Sequence, residues 1–134
     1  MKISKFVIFS IVLVLSILFT GCEENCSEIE VDIYGSWLRT ITDDAGVVFD
    51  AELKITDNSY DFIVLTANSG HTDSYAEITI ANNKMSIISD QDCLSLGETA
   101  EYEFLVTEQK LSLIAVADSC YPRVKAIQGI WDKK

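Results

Sequence analysis

From Tyr34 onward the chain alternates apolar and polar residues with a period of two, and no stretch there carries a convincing helical period. Val47, Phe49, Ala51, Leu53 and Ile55 alternate with Val48, Asp50, Glu52, Lys54 and Thr56. That is the pattern of a half-buried strand, whose successive side chains leave opposite faces. It repeats at Tyr60, Phe62 and Val64; at Ala76, Ile78 and Ile80; at Met85 and Ile87; at Tyr102, Phe104 and Val106; and at Leu111, Leu113, Ala115 and Ala117. With Gly35–Thr42 in front and Arg123–Trp131 behind, eight strands are predicted. The connectors Asp43-Asp44-Ala45-Gly46, Asp57-Asn58-Ser59, Asn68-Ser69-Gly70, Asn82-Asn83 and Glu108-Gln109 suit tight hairpins. Their residues tolerate positive φ or hydrogen-bond their own backbone. The only proline, Pro122, falls at the predicted entrance to the last strand, where a missing N–H costs least. Short antiparallel strands at regular spacing make a sandwich or a barrel. Gly35-Ser36-Trp37 opens the first strand and Gly129-Ile130-Trp131 closes the last. Two strand-like, aromatic ends favour an eight-stranded antiparallel up-and-down barrel, in which first and last strands meet and leave no edge.

A different pattern precedes this all-β region. Lys2 and Lys5 introduce a nearly unbroken apolar run from Phe6 to Phe19, then Thr20-Gly21-Cys22. The run is shorter than the roughly 20 residues a bilayer span needs, and a basic start with a small residue before the cut describes a secretory signal. A cysteine directly after that small residue makes the segment look like a lipoprotein signal, with Cys22 acylated, palmitate included, as the mature N-terminus. Several acyl chains on one cysteine hold a protein on a membrane stably. The expected divisions are a cleaved signal over 1–21, an acidic tether over 22–33 and a barrel domain over 34–134. The expected location is the bacterial cell envelope, lipid-anchored in the outer membrane at its periplasmic face or at the cell surface.

Cleavage would remove two of the ten basic residues and none of the 21 acidic ones, leaving a net charge of −13. Such a surface repels nucleic acid and anionic headgroups. It suits solubility first, and a basic protein partner second. In an oxidising compartment Cys93 and Cys120, both in loop-like contexts, are expected to pair. Cys26 is then odd, either free in the tether or a competitor for a partner. No Cys-x-x-Cys pair exists and His71 is the only histidine, which argues against zinc. Asp90 and Asp92, with Asp118 drawn near by the disulfide, are the weak candidates for calcium. The expectation is no resident metal and no cofactor.

Gly35-Ser36-Trp37 resembles the Gly-x-Trp of the lipocalin and calycin barrels. The ending Asp118, Cys120, Arg123, Gly129, Trp131 resembles the last strands of small lipocalin-like domains in bacterial envelope lipoproteins. In lipocalins an arginine from the last strand packs over the tryptophan, and the resemblance makes Arg123 its counterpart, facing Trp37. The chain departs from lipocalins proper in being shorter, in lacking a Thr-Asp-Tyr loop motif and in showing no helical pattern after the barrel.

Trp37, Phe49, Tyr60, Phe62, Tyr102 and Phe104 are predicted to face inward. Eight-stranded barrels either fill their interiors with side chains or hold one small ligand. So short a chain with so many bulky inward residues favours a filled core, with an apolar ligand in the mouth as the second expectation. Carriage of such a ligand requires a cavity, expected between Trp37, Phe62 and Phe104. No nucleophile, base and orienting group assemble into a set around His71, so no enzymatic activity is expected. The predicted role is a membrane-anchored binder of a small apolar ligand or an envelope surface component. The alternative is a protein-binding module similar in size and location to bacterial inhibitors of basic lysozyme-type enzymes.

Overall fold

A computed structural model describes residues 32–134; the signal expected over 1–21, the expected acylation site Cys22, the odd Cys26 and most of the expected acidic tether lie outside the described residues. Eight strands follow one another around a closed antiparallel barrel. They are β1 (Gly35–Thr42), β2 (Val48–Ile55), β3 (Ser59–Val64), β4 (Ser74–Ala81), β5 (Lys84–Ser89), β6 (Ala100–Val106), β7 (Lys110–Asp118) and β8 (Gly129–Lys133). A 3₁₀ turn (Gln91–Cys93) follows β5, and a short helix, α1 (Tyr121–Ile127), lies between β7 and β8. The β4–β5 hairpin turns on Asn82 and Asn83, both at positive φ (51° and 59°), the conformation a two-residue hairpin of matching twist demands.

The last predicted strand needs correction. Residues 121–127 of the span Arg123–Trp131 and its approach are helical, and only Gly129 onward is extended. Pro122 therefore sits in a first helical turn, where its missing N–H has no intrahelical partner to lose. Helical periodicity was invisible because two turns bury only Arg123 and Ile127, and one of those is charged. Ile33, grouped above with the acidic tether, is only 2% exposed and belongs to the core.

Inward positions alternate along the strands. Trp37 and Ile41, Leu53 and Ile55, Tyr60 and Phe62, Ile78, Met85 and Ile87, Tyr102, Leu111, Leu113 and Trp131 form one continuous apolar cluster. Phe104, predicted inward, is half-buried and packs against it.

Closure rests on a duplicated clasp. The pairing of β1 with β8 is short, Trp37 opposite Lys133 and Leu38 opposite Asp132. Around it the chain repeats one pattern: Ile33, Gly35, Trp37, Arg39 on one side and Ile127, Gly129, Trp131, Lys133 on the other. Each indole N–H donates to the isoleucine carbonyl four residues earlier, Trp37 Nε1 to Ile33 O at 2.8 Å and Trp131 Nε1 to Ile127 O at 2.9 Å. Each cation reaches across to the other segment. Lys133 Nζ lies 4.1 Å from the Trp37 ring centre and donates to Tyr34 O, while the Arg39 guanidinium lies 5.7 Å from the Trp131 ring centre and donates to Gln128 O. Arg123, expected over Trp37, is elsewhere, and Lys133 covers that ring. The two glycines make room for the crossing cations: a methyl at Gly35 would stand 2.9 Å from Lys133 Nζ, and one at Gly129 2.6 Å from the Arg39 guanidinium. Both glycines also have φ values (119° and 139°) that side chains rarely adopt.

Gly129→Ala is expected to lower unfolding stability in urea by roughly 1–3 kcal/mol through backbone strain and the clash with Arg39. In a cycle with Arg39→Ala the two losses should add to less than their sum, because the second change removes the clash.

Candidate functional site

One end of the barrel is covered by two different structures. On one side, α1 turns Arg123 inward, where it is 5% exposed. Its Nη1 donates to Asp90 Oδ2 at 2.9 Å, its Nε to Asp118 Oδ2 at 2.8 Å and its Nη2 to Asp118 Oδ1 at 2.6 Å. Nη2 also donates to Gly97 O at 2.9 Å. Tyr102 Oη–H donates to Asp118, and Tyr60 Oη–H points at Asp90 Oδ2 from 3.5 Å. Asp90 caps the 3₁₀ turn by accepting from the Asp92 backbone N–H, and Asp118 accepts from the Cys120 backbone N–H. The sulfurs of Cys93 and Cys120 stand at disulfide distance, as expected, joining that turn to the start of α1. Among the described residues no buried side-chain polar atom lacks a partner. The guanidinium thus lies between Asp90 and Asp118, and among the described residues no cluster of three metal-ligating side chains occurs.

Burial by itself would lower the Arg123 pKa, but hydrogen bonds to Asp118 and Asp90 outweigh it and hold the group charged. Burial would raise Asp118, yet hydrogen bonds from Arg123, Tyr102 and the Cys120 N–H bring it below the ordinary carboxylate value. Tyr60 and Tyr102 are pushed far above the usual tyrosine range, first by burial and then by the adjoining carboxylates, Asp90 for Tyr60 and Asp118 for Tyr102.

The other side of this end is a cavity of about 670 Å³. Ile41, Phe49, Tyr60, Phe62 and Ile127 wall it, and Asp90 and Arg123 lie at its boundary with the buried network. Its rim is formed by the β1–β2 turn (Asp43, Asp44, Ala45), the β3–β4 loop (Gly70, His71, Thr72) and α1 (Tyr121, Lys125). Two neighbouring aspartates tie these three elements together. His71 Nε2 is 3.0 Å from Asp43 Oδ2, and its ring stacks on Phe49 with centres 4.1 Å apart. Lys125 Nζ is 2.9 Å from Asp44 Oδ1, and Tyr121 Oη–H donates to Asp44 Oδ2.

Of the residues predicted inside the barrel, Phe49, Tyr60, Phe62 and Arg123 line this cavity. Trp37 belongs to the clasp, Tyr102 to the buried network and Phe104 to the core edge, so the cavity lies elsewhere than between Trp37, Phe62 and Phe104. The sequence marks Asp43 and Asp44 only as hairpin connectors and His71 only as a histidine without catalytic partners, so none of the three is predicted at the rim. Asp43 does build its turn, its Oδ1 accepting from the N–H groups of Ala45 and Val47, but its second oxygen faces the mouth.

Comparison with protein-family models, with curated proteins and with solved structures finds no match to this chain.

Arg123→Met, which strands two buried carboxylates, is expected to cost about 3–5 kcal/mol in urea unfolding at pH 7. Because the folded pKa of Asp118 is depressed, its stabilisation is present above about pH 4 and is lost as the pH falls below that. The gap between wild type and variant should therefore narrow on acidification. Because the two tyrosines are raised, the unfolded chain ionises first, and wild-type stability should also fall above about pH 10. Unfolding curves from pH 2 to 11 check both limbs.

Proposed function

We propose that this chain is a membrane-anchored, lipocalin-like lipoprotein of the bacterial envelope that binds a small, largely apolar molecule in the mouth of its barrel, without enzymatic activity. The observation that carries the reading is the cavity of about 670 Å³, walled by Ile41, Phe49, Phe62 and Ile127 and rimmed by a few convergent polar groups. Pockets that take small molecules have this size range and this division between apolar walls and few polar groups. An eight-stranded barrel is wide enough to hold one such ligand.

The anchoring part of the reading is supported by the order of Lys2, Lys5, the apolar run, Gly21 and Cys22. Asp32, where the described barrel begins, follows Cys22 by ten residues, at most about 35 Å of chain. The acidic exterior supports a second reading, a module for a basic protein partner such as a lysozyme-type enzyme. Binding of that kind would weaken as salt rises, because exposed charges are screened.

Produced in an envelope-bearing host and measured by native mass spectrometry, the protein should carry an added mass that disappears on denaturation. Ile41→Trp, which puts an indole into the mouth, should remove that mass while the barrel still folds, as its far-UV circular dichroism would report. A bare mass under both conditions, or a bound mass unmoved by Ile41→Trp, contradicts the reading.

A further inference from the structure

The chemistry of the ligand can be narrowed, on the footing that the mouth cavity is a ligand site. Four carboxylates, Asp43, Asp44, Asp90 and Asp92, border it against two permanent cations, Lys125 and Arg123. Both cations are committed. Arg123 spends its donors on Asp90, Asp118 and the carbonyls of Gly97, Glu98 and Thr99, and Lys125 is paired with Asp44. An entering carboxylate or phosphate would meet four carboxylates against two cations, each of which is already paired with an aspartate among the described residues. A fatty-acid-like ligand is therefore the wrong charge.

The seat occupied by His71 indicates the right one. It has two walls, and both are built into strands or their turn. Phe49, on β2, is 4% exposed and offers one ring face. Asp43 has its carboxylate held by the Ala45 and Val47 N–H groups at 2.9 and 2.8 Å. The Val47 hydrogen bond first, and the bond to His71 after it, keep its pKa below the ordinary value, so the seat is anionic at neutral pH. Into this corner fits a flat, nitrogen-bearing ring: the imidazole lies 25° from parallel to Phe49, with Nε2 on Asp43 Oδ2. The arm that delivers the ring is weakly held. Among the described residues, Ala67–Thr72 hydrogen-bonds to the rest of the barrel only through His71 Nε2, its other bond being His71 N to Ser69 Oγ within the loop. Asn68 and Gly70 on that arm sit at positive φ, without strand pairing.

We propose that the Phe49–Asp43 corner is the head-group subsite of the cavity, filled here by His71, and that the ligand is a cationic amphiphile. Its head is a planar N–H-bearing cation (an amidinium, a guanidinium or a protonated nitrogen heterocycle) that displaces His71, stacks on Phe49 and donates to Asp43. Its apolar body lies along Ile41, Phe62 and Ile127. The β3–β4 loop is then a plug that swings aside when the head enters, and the charge on the head is what the mouth selects.

The test uses three molecules of one shape and different charge: 4-butylbenzamidine, 4-butylbenzamide and 4-butylbenzoate. Each is titrated by calorimetry into the chain from Cys22 onward, with Cys22→Ser in place of the acylated residue, exported to an oxidising compartment. The amidine should bind at least tenfold more tightly than the amide, with the benzoate weakest. His71→Ala should tighten the amidine several-fold, because the seat is vacated. Asp43→Asn, which keeps an oxygen for the Ala45 and Val47 N–H groups, should erase the preference for the amidine. Should Asp43→Asn fail to fold, His71→Ala still decides, since a histidine that only braced the mouth would bind ligand less well when removed. Amide and amidine binding equally, or benzoate binding best, overturns the cationic head group and leaves the cavity reading standing. No binding of any of the three, in wild type or in His71→Ala, overturns both.

Discussion

The barrel depends on how β8 is fastened to β1. Hydrogen bonding between the two is brief, and a closed sheet with one weak seam is no better protected than an open one. The clasp compensates with a reciprocal arrangement in which each tryptophan is locked to its own segment by an indole hydrogen bond and covered by the other segment's cation. A cation over a tryptophan face contributes about 0.5–1 kcal/mol when exposed and about 2 when desolvated. Here the cations also satisfy the carbonyls of Tyr34 and Gln128, the residues just ahead of the two glycines. Side chains at those glycines would block the crossing. Thus the two Gly-x-Trp segments are one device, and neither half works without the other.

That fastening also decides where the open end lies. Because β8 is short and begins only at Gly129, the chain leaving β7 has ten residues, 119–128, with which to cross one end of the barrel. It uses them for the α1 helix, which lowers Arg123 between Asp90 and Asp118 and is stapled to the 3₁₀ turn by the Cys93–Cys120 pair. Half of that end is thereby sealed with a fully partnered polar network. The other half is left to the β1–β2 turn and the β3–β4 loop, which meet over the cavity through side chains only. The sealed half is costly to disturb, while the bridged half is exposed to solvent and cheap to open.

Much of this was readable in the chain. Alternation placed β2 through β7, because a half-buried strand writes its burial directly into residue order, and Asn82-Asn83 announced its hairpin. The pairing of Cys93 with Cys120 followed from two loop cysteines in one small domain. What escaped was whatever depends on contact across the fold. Seven helical residues with one charged inward position carry no apolar stripe, so α1 read as strand. Arg123 was recognised as an inward arginine and placed over Trp37, but it lies between Asp90 and Asp118, and the two tryptophans are covered by Lys133 and Arg39 from across the seam. His71 and Asp43 lie 28 residues apart in two turns, and nothing local marks them as neighbours.

The central claim is that the mouth, and not the rest of the interior, receives a small apolar molecule. Methyl NMR of the isoleucine-labelled protein, titrated with the neutral apolar probe N-phenyl-1-naphthylamine, tests it most directly. Ile41 and Ile127 line the cavity, whereas Ile55, Ile78 and Ile87 lie in the packed core away from it. Saturable shifts at Ile41 and Ile127 with the other three unmoved are the expected result. Shifts spread over all five methyls, or none at Ile41 and Ile127 while the probe binds elsewhere, would contradict the account.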